Sequence, residues 1–437
     1  MIEIKNTYKA YKDSGVEWLG DIPEHWVVKK LKYLFNEINE RSFDGSEDLL
    51  SVSQYTGVSN KSEKLEEGGM LTNASSLEGY KKVSKDDLVS NIMLAWNGSL
   101  GFSPFDGITS PAYSIYRLKT NDANRYFHYL LRTELYKSEY KRNSSGVVES
   151  RLRLYTDDFF RIVSILPPQQ EQSAIAKFLD DKTEKIDQAI RVKQEQIVLL
   201  KERRQVLIHQ AVTRGLDKSV GLNDSGVEWI GEIPEHWEMK KNGMLSRIIR
   251  GASPRPAGHP MYFNGNDVPW IAVGDITRDN EVYLKYPINY LTIAGKKQSR
   301  YIEAGTFVLT NSGATLGVPK IMGISGCIND GVLAFLDLKE DIIDKLFLYF
   351  YFVTQTERLR DEMNQGATQP NLNTNIVKQL AIAVPPLNEQ RSIVKNIENL
   401  EHKIYAAISL KEKEIEKLKE YKASLINSVV TGKVRVG

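Results

Sequence analysis

The 437-residue chain has a single cysteine, Cys327, and only six histidines, scattered along its length. One thiol excludes a disulfide framework and fits a reducing compartment, and no Cys/His spacing matches a zinc site. No run of about 18 apolar residues occurs, so no membrane span is expected. The opening MIEIKNTYKAYKDSG has no apolar stretch of the kind a secretory signal needs, which points to a cytoplasmic location. There is no G-x-x-x-x-G-K-[ST] phosphate loop, no G-x-S-x-G elbow and no Asn-Pro-Pro-aromatic step, so an ATP motor, a serine hydrolase and an amino-methyltransferase are not expected. A net charge of only +2 is not that of a generic nucleic-acid coat. What remains is a chain that is 41% apolar, enough for real cores, and long enough for about three domains.

Two long helical stretches organise it. One runs over about residues 168–212 and the other over about 386–430. Each opens on a Pro-Pro pair and an acidic-Gln step, Pro167-Pro168-Gln169-Gln170-Glu171-Gln172 and Pro385-Pro386-Leu387-Asn388-Glu389-Gln390. Apolar residues then recur in steps of three and four: Ile175, Leu179, Ile186, Ile190, Ile197, Leu200 and Leu207, and Ile393, Ile397, Leu400, Ile404, Ile408, Ile415, Leu418 and Leu425. That spacing makes one narrow stripe, a coiled-coil seam, with Lys, Glu, Arg and Gln on the other faces. A helix of about 42 residues spans ~63 Å, and neither copy has an interior Pro or Gly. The chain order predicts an antiparallel pair with one globular block at each end.

The duplication extends beyond the helices. DSGVEWLGDIPEHW at 13–26 recurs as DSGVEWIGEIPEHW at 224–237, with 12 of 14 residues identical. Two Trp, an Ile and a Pro at fixed spacing read as a small apolar plug. His25 and His236, with no partner nearby in the sequence, read as polar caps on it rather than as metal or catalytic groups. Between plug and helix each half carries a block of roughly 140 residues, about one domain in size. The blocks differ in sequence but share a pattern: strands at 48–53 and 268–273, and strands at 88–91 and 307–310, each followed by a Gly-rich turn. Strands at 113–118 and 332–336 follow, then amphipathic helices at 124–142 and 344–363 ending in Gly loops, then last strands at 160–166 and 379–384. Each block is therefore expected to be α+β, with one fold shared by both. Trp96 and Trp270 are expected in the core, as are the Tyr and Phe of the two shorter helices. The domains expected are a plug at 1–26, a block at 27–166, a long helix at 167–212, a linker and second plug at 213–237, a block at 238–384, a long helix at 385–430 and a tail at 431–437.

These features together, DSGVEWLGDIPEHW and its repeat, ILPPQQEQ and AVPPLNEQ before the long helices, and NQGATQPNLNT at 364–374, resemble the specificity subunits of type I restriction-modification systems (the HsdS family) over essentially the whole chain and in the family's order. The first block departs from the pattern where Ser145-Gly146-Val147-Val148-Glu149-Ser150-Arg151 replaces the Gln-Gly-Ala-Thr-Gln-Pro-Asn loop of the second. The resemblance implies a non-catalytic reader of double-stranded DNA, with a target-recognition domain for each half of a bipartite, asymmetric site. It implies that the paired helices set the half-site spacing and, with the plugs, dock two modification (methyltransferase) subunits. Restriction (motor-nuclease) subunits would join that assembly, and S-adenosylmethionine, ATP and Mg would belong to the partners. The competing reading is a coiled-coil protein scaffold whose basic runs are incidental.

Local charge suits the DNA reading. Residues 240–255 hold five basic side chains and no acid, residues 285–300 hold four and no acid, and residues 124–153 hold seven against three acids. Base readout needs Arg, Asn, Gln, Ser and Thr on rigid loops, with Gly admitting close approach to phosphate. The candidates of the first block are Gln54, Tyr55, Asn97, Lys141, Arg142, Asn143, Ser144, Arg151 and Arg153. Those of the second are Arg250, Ser253, Arg255, Lys296, Lys297, Asn311, Ser312, Thr368, Gln369 and Asn371. For each, the plainer alternative is a loop-stabilising hydrogen bond or a solvated surface charge.

Overall fold

A computed structural model describes residues 7–61, 76–120, 124–148, 151–364 and 371–436. The acid-rich 63–67 stretch and the candidates Thr368 and Gln369 lie outside these residues. The chain forms two compact units, one from Met1–Lys193 with Glu412–Gly437 and the other from Gln194–Lys411. Both long helices, Gln169–Arg214 and Leu387–Val430, contribute to both units.

Within each unit the long helices pair antiparallel. In the first, Lys422 bonds Asp187 at 2.7 Å and Lys193 bonds Glu414 at 2.6 Å. In the second, Arg204 Nε donates to Glu401 at 2.8 Å. As the first helix advances its partner recedes, so the pairing direction follows from the ion pairs. Ile175, Leu179, Ile186, Ile190, Ile393, Ile397, Ile404, Ile408, Ile415 and Leu425 are buried, and Ile197, Leu200, Leu207, Leu400 and Leu418 are half-buried. The expected seam is therefore the contact face. A fully buried Leu or Ile contributes ~1.5–3 kcal/mol, so the seam contributes more to holding the helices together than the half-buried ion pairs do.

The first block is built on a four-stranded antiparallel sheet in the order Phe35–Ile38, Tyr113–Leu118, Leu88–Asn91, Leu100–Phe102. The second block repeats that order as Arg247–Arg250, Val332–Leu336, Phe307–Thr310, Pro319–Met322 and adds Tyr283–Leu284 at the far edge. In both, a strand just after the plug pairs with the strand just before the long helix: Val27–Lys30 with Val163–Leu166, and Glu238–Lys241 with Ala381–Val384. The second block alone among the described residues carries a further four-stranded sheet, Asn289–Leu291, Phe263–Ile271, Gly326–Ile328, Arg300–Ile302. In its place the first block has the hairpin Leu50–Ser53/Gly57–Asn60 and the pair Lys81–Val83/Gly107–Thr109.

Four of the expected elements differ in detail as follows. The helix expected over 124–142 is two, Asn124–Leu130 and Glu134–Asn143, because the Thr133 side chain accepts a hydrogen bond from Tyr136 N and starts a new helix. The strands expected from 160 and 379 begin later, at Val163 and Ala381. Short helices precede them: Thr156–Arg161, with Asp157 and Asp158 in its first turn, and Thr374–Gln379, capped by Asn373. The strand expected over 268–273 is Phe263–Ile271, and Val273 already begins a helical turn. The aromatic residues of the shorter helices are core, as expected. Tyr126, Phe127, Tyr136 and Tyr140 are buried in the first block, and the run Phe347–Phe352 is buried on all sides of helix Lys345–Asn364. Trp270 is buried; Trp96 is half-buried, its Nε1 donating to the Met93 carbonyl.

Candidate nucleic-acid interface

The plug is a two-stranded hairpin, Tyr11–Asp13 with Asp21–Pro23 in one half and Leu222–Asp224 with Glu232–Pro234 in the other. Its two tryptophans have separate tasks. Trp18 packs edge-on against Tyr136 at 5.2 Å and Trp229 against Tyr351 at 5.7 Å, each on its block's own helix. Trp26 and Trp237 are buried and donate their indole N–H to Glu171 (3.0 Å) and Glu389 (3.1 Å), in the first turn of each long helix. His25 lies 2.5 Å from the same Glu171 and His236 2.7 Å from the same Glu389. The two motifs singled out in the sequence, the plug and the Pro-Pro-acid-Gln step, thus form one joint, present twice. The histidines do have a carboxylate partner, which sequence distance concealed. Beside each Glu, Gln172 and Gln390 donate back to the carbonyls of Pro167 and Pro385, both at 2.7 Å. The joint is closed by the far end of the other long helix. Gly215 and Gly432, both in the left-handed region (φ +71° and +77°), sit where any Cβ would strike Trp237 or Pro23.

Burial pushes the Glu171 carboxyl up, but the donors Trp26, His25 and Tyr8 outweigh it and hold the group below the ordinary carboxylate range. In the first block, burial together with the neighbouring Arg132 and Arg125 pushes His128 down to about 3. Its Nδ1 is buried and has no hydrogen-bond partner. His128 and Arg132 lie beneath the 54–57 turn, close to Gly57.

The DNA candidates of the first block fall into two groups. Gln54 and Tyr55 form the tip of the hairpin, and their carbonyls accept from Arg132 at 3.0 and 3.1 Å; the Tyr55 side chain is 83% exposed. The others gather where the 95–97 turn packs on helix Glu134–Asn143. Asn97 Oδ1 accepts from the Ser99 hydroxyl (2.8 Å), Asn143 Nδ2 donates to the Glu139 carbonyl (2.8 Å), and Ser144 Oγ donates to the Tyr140 carbonyl (2.6 Å). These three secure the turn and the helix end. Arg142 pairs with Glu139 at 3.1 Å and stays exposed, Lys141 lies over the Trp96 ring, Arg153 exchanges backbone bonds with Ser145, and Arg151 is exposed.

The second block brings its candidates together around a residue the sequence reading passed over, Asp330. Arg250 Nε donates to its carbonyl (2.6 Å), and so does Asn311 Nδ2 (3.2 Å). Ser253 Oγ and Arg255 bond its carboxylate at 2.6 and 3.2 Å. The backbone N–H of Arg255 donates to Gln298, at the end of the short helix that carries Lys296 and Lys297. Lys296 stands 3.9 Å over the Tyr301 ring. Ser312 and Asn371 form a β-bridge beside Asn311. An acid brought in from 75 residues beyond a basic run leaves no local signal; only the fold places Asp330 there. Among the described residues no group of three or more His, Cys, Asp or Glu could hold a metal ion, and no helix is long and apolar enough to cross a membrane.

The comparisons with known proteins agree with this duplicated plan. The sequence profile of the family described as "Type I restriction modification DNA specificity domain" matches twice, over residues 23–197 and 234–420. A putative type I restriction enzyme MjaX specificity subunit of Methanocaldococcus jannaschii is 23% identical over 465 aligned positions, covering 100% of both chains. The EcoKI specificity subunit of Escherichia coli is 19% identical over 410 positions, 87% of this chain and 83% of that one. Among solved structures, the HsdS subunit from Thermoanaerobacter tengcongensis superimposes with a TM-score of 0.54 at 16% identity, over 94% of this chain and 98% of that chain. A chain from work on complex assembly and conformational transition of the type I R-M system does so with a TM-score of 0.68, also at 16% identity and with the same coverage. These structural likenesses bear on the fold.

Proposed function

The chain belongs to the type I restriction-modification DNA specificity family, and on that premise we propose that each of its two blocks reads one half of a bipartite, asymmetric DNA target. It is a non-catalytic specificity subunit. The observation that carries this reading is the contrast between a joint repeated almost residue for residue and blocks whose exposed loops differ. A repeated joint suits two copies of one partner, which we assign to two modification (methyltransferase) subunits, with restriction (motor-nuclease) subunits joining them. Unlike blocks suit unlike half-sites, with the paired helices fixing the distance between them. S-adenosylmethionine, ATP and Mg are then bound by the partner subunits.

The physical basis is ordinary groove recognition. Arg can bridge guanine and Asn or Gln can bridge adenine, each good pair giving ~1–3 kcal/mol of discrimination. Lys297 and the other exposed cations supply sequence-independent phosphate contacts. The test is binding to a mixed duplex pool at several salt concentrations, with and without the methyltransferase subunit. The chain alone is expected to bind weakly and without selectivity; the complex is expected to select one bipartite motif, with affinity falling steeply in salt. Absence of DNA dependence in both conditions would leave the protein-scaffold reading instead.

A further inference from the structure

The Asp330 cluster carries an inference that rests on the DNA-reading function proposed above. A carboxylate on a phosphate-facing surface opposes binding, because it repels the same charge the basic residues attract. Its place among them therefore calls for a physical reason. Asp330 is not buried for packing: its side chain is 41% exposed. Nor does it answer a buried orphan, since Ser253 and Arg255, its carboxylate's partners, reach solvent themselves. All of its side-chain bonds go to residues that are themselves candidates for DNA contact.

The geometry also places this cluster at an opening. Asp330, Ser253 and Arg255 stand at a cavity of about 420 Å³ lined by the aromatic rings of Phe263 and Trp270 and by the amide of Asn289. Phe263 and Trp270 lock each other edge-to-face at 5.9 Å. The first block holds no acid at the sheet position of Asp330. Its strand Tyr113–Leu118 holds the sheet position of Val332–Leu336, with Tyr113 opposite Asn91 as Val332 is opposite Thr310. The residue two positions before Tyr113, matching Asp330, is Pro111.

We propose that Asp330 is a positioning residue for specificity: it holds Arg255 and Ser253 at the mouth of this cavity, and so sets which base the second block accepts at one position of its half-site. An unrestrained arginine carries ~2 kcal/mol of rotamer entropy that must be lost on each encounter. Fixing one of its five donors on Asp330 orders the fork in advance and leaves the other donors for a base edge. The carboxylate lowers general attraction to DNA and raises discrimination.

Those two effects have opposite signs, which makes the idea testable. The full chain, assembled with its methyltransferase subunit, is titrated against a duplex pool randomised within both half-sites. The wild-type complex must first select a motif; if it does not, the DNA-reading function itself fails and the variants are not at issue. Asp330→Asn keeps the shape, the Ser253 bond and both backbone-carbonyl bonds. It is expected to bind random duplex more tightly while losing about tenfold in preference at one position of the second block's half-site, within the range of one good base contact. Arg255→Ala is expected to relax the same position, and the double variant to relax it no further. An Asp330→Asn complex with an unchanged motif overturns the proposal, as does equal loss in both half-sites or relaxation at a position that Arg255→Ala leaves untouched.

Discussion

The edge strand of the first block's sheet reads Phe35-Asn36-Glu37-Ile38, and the strand holding the same place in the second reads Arg247-Ile248-Ile249-Arg250. One is acidic, the other basic, on a shared strand order. The two joints are the opposite case, with the same Trp, His and Glu meeting at nearly the same distances. A sheet edge tolerates such variation because its outward side chains meet solvent. The joint does not, because a buried indole N–H without its acceptor costs ~1–3 kcal/mol. The frame is thus fixed by buried polar satisfaction, and the reading surfaces are free to differ.

That contrast can be broken most severely by exchanging a whole block. Replacing residues 238–383 with the corresponding block of a relative is expected to rewrite one half of the methylated motif and leave the other intact, as read by methylome sequencing of cells carrying the system. Rewriting of both halves would show that the blocks do not read independently.

Next in size are the joints themselves. Trp26→Ala and Trp237→Ala remove buried indoles and one of the donors to each joint's carboxylate, and each is expected to destabilise its own unit by ~3–5 kcal/mol in urea unfolding. Similar costs in the two halves are expected from the shared geometry; a large inequality would separate the two joints.

A smaller effect distinguishes the blocks by pH. His128 is held neutral in the fold at about 3 but titrates near 6.5 when unfolded, so between those values the unfolded chain takes up more protons. The first unit should lose stability as pH falls through this window, on the order of 2 kcal/mol by pH 4.5. His128→Gln should flatten that slope in pH-dependent denaturation. Glu171, whose folded value is depressed, adds a further loss only below ~4.3. A stability profile flat from pH 6.5 to 4.5 would contradict the burial assigned to His128. The smallest change expected is at Lys193–Glu414, a half-buried pair still open to solvent, for which a double-mutant cycle should give ~0.2–1 kcal/mol, screened by salt.

The long helices, the plugs and the fold shared by the two blocks were legible because they rest on periodicity and repetition, which act over short stretches; the sheet order was not. The break at Thr133 was legible too, in a Thr-Glu step that a continuous apolar pattern overrode. The Glu171 and Glu389 partners of the plugs were not, since they lie 145 and 152 residues from the tryptophans they hold. Of the candidate site, Gln54, Tyr55, Ser253 and Arg255 do stand on loops, whereas Lys141, Arg142, Asn143, Lys296 and Lys297 stand on helices and Arg250 ends a strand. Their grouping was not legible, because Asp330 joins Arg250, Ser253, Arg255 and Asn311 only across sheet connections, and the second block's additional sheet pairs Phe263–Ile271 with Gly326–Ile328, far apart in the chain.

The first unit is discontinuous, and its final piece arrives last. Gly432 covers Pro23 and Trp26, and Tyr126 donates to the carbonyl of Val430, so the earlier-made block waits for residues 430–432 before its joint can close. The second unit, made later, has every one of its residues by Lys411. Sealing of the joints therefore runs against the order of synthesis, and a released chain ending at residue 411 would hold every residue of the second unit and lack those that seal the first.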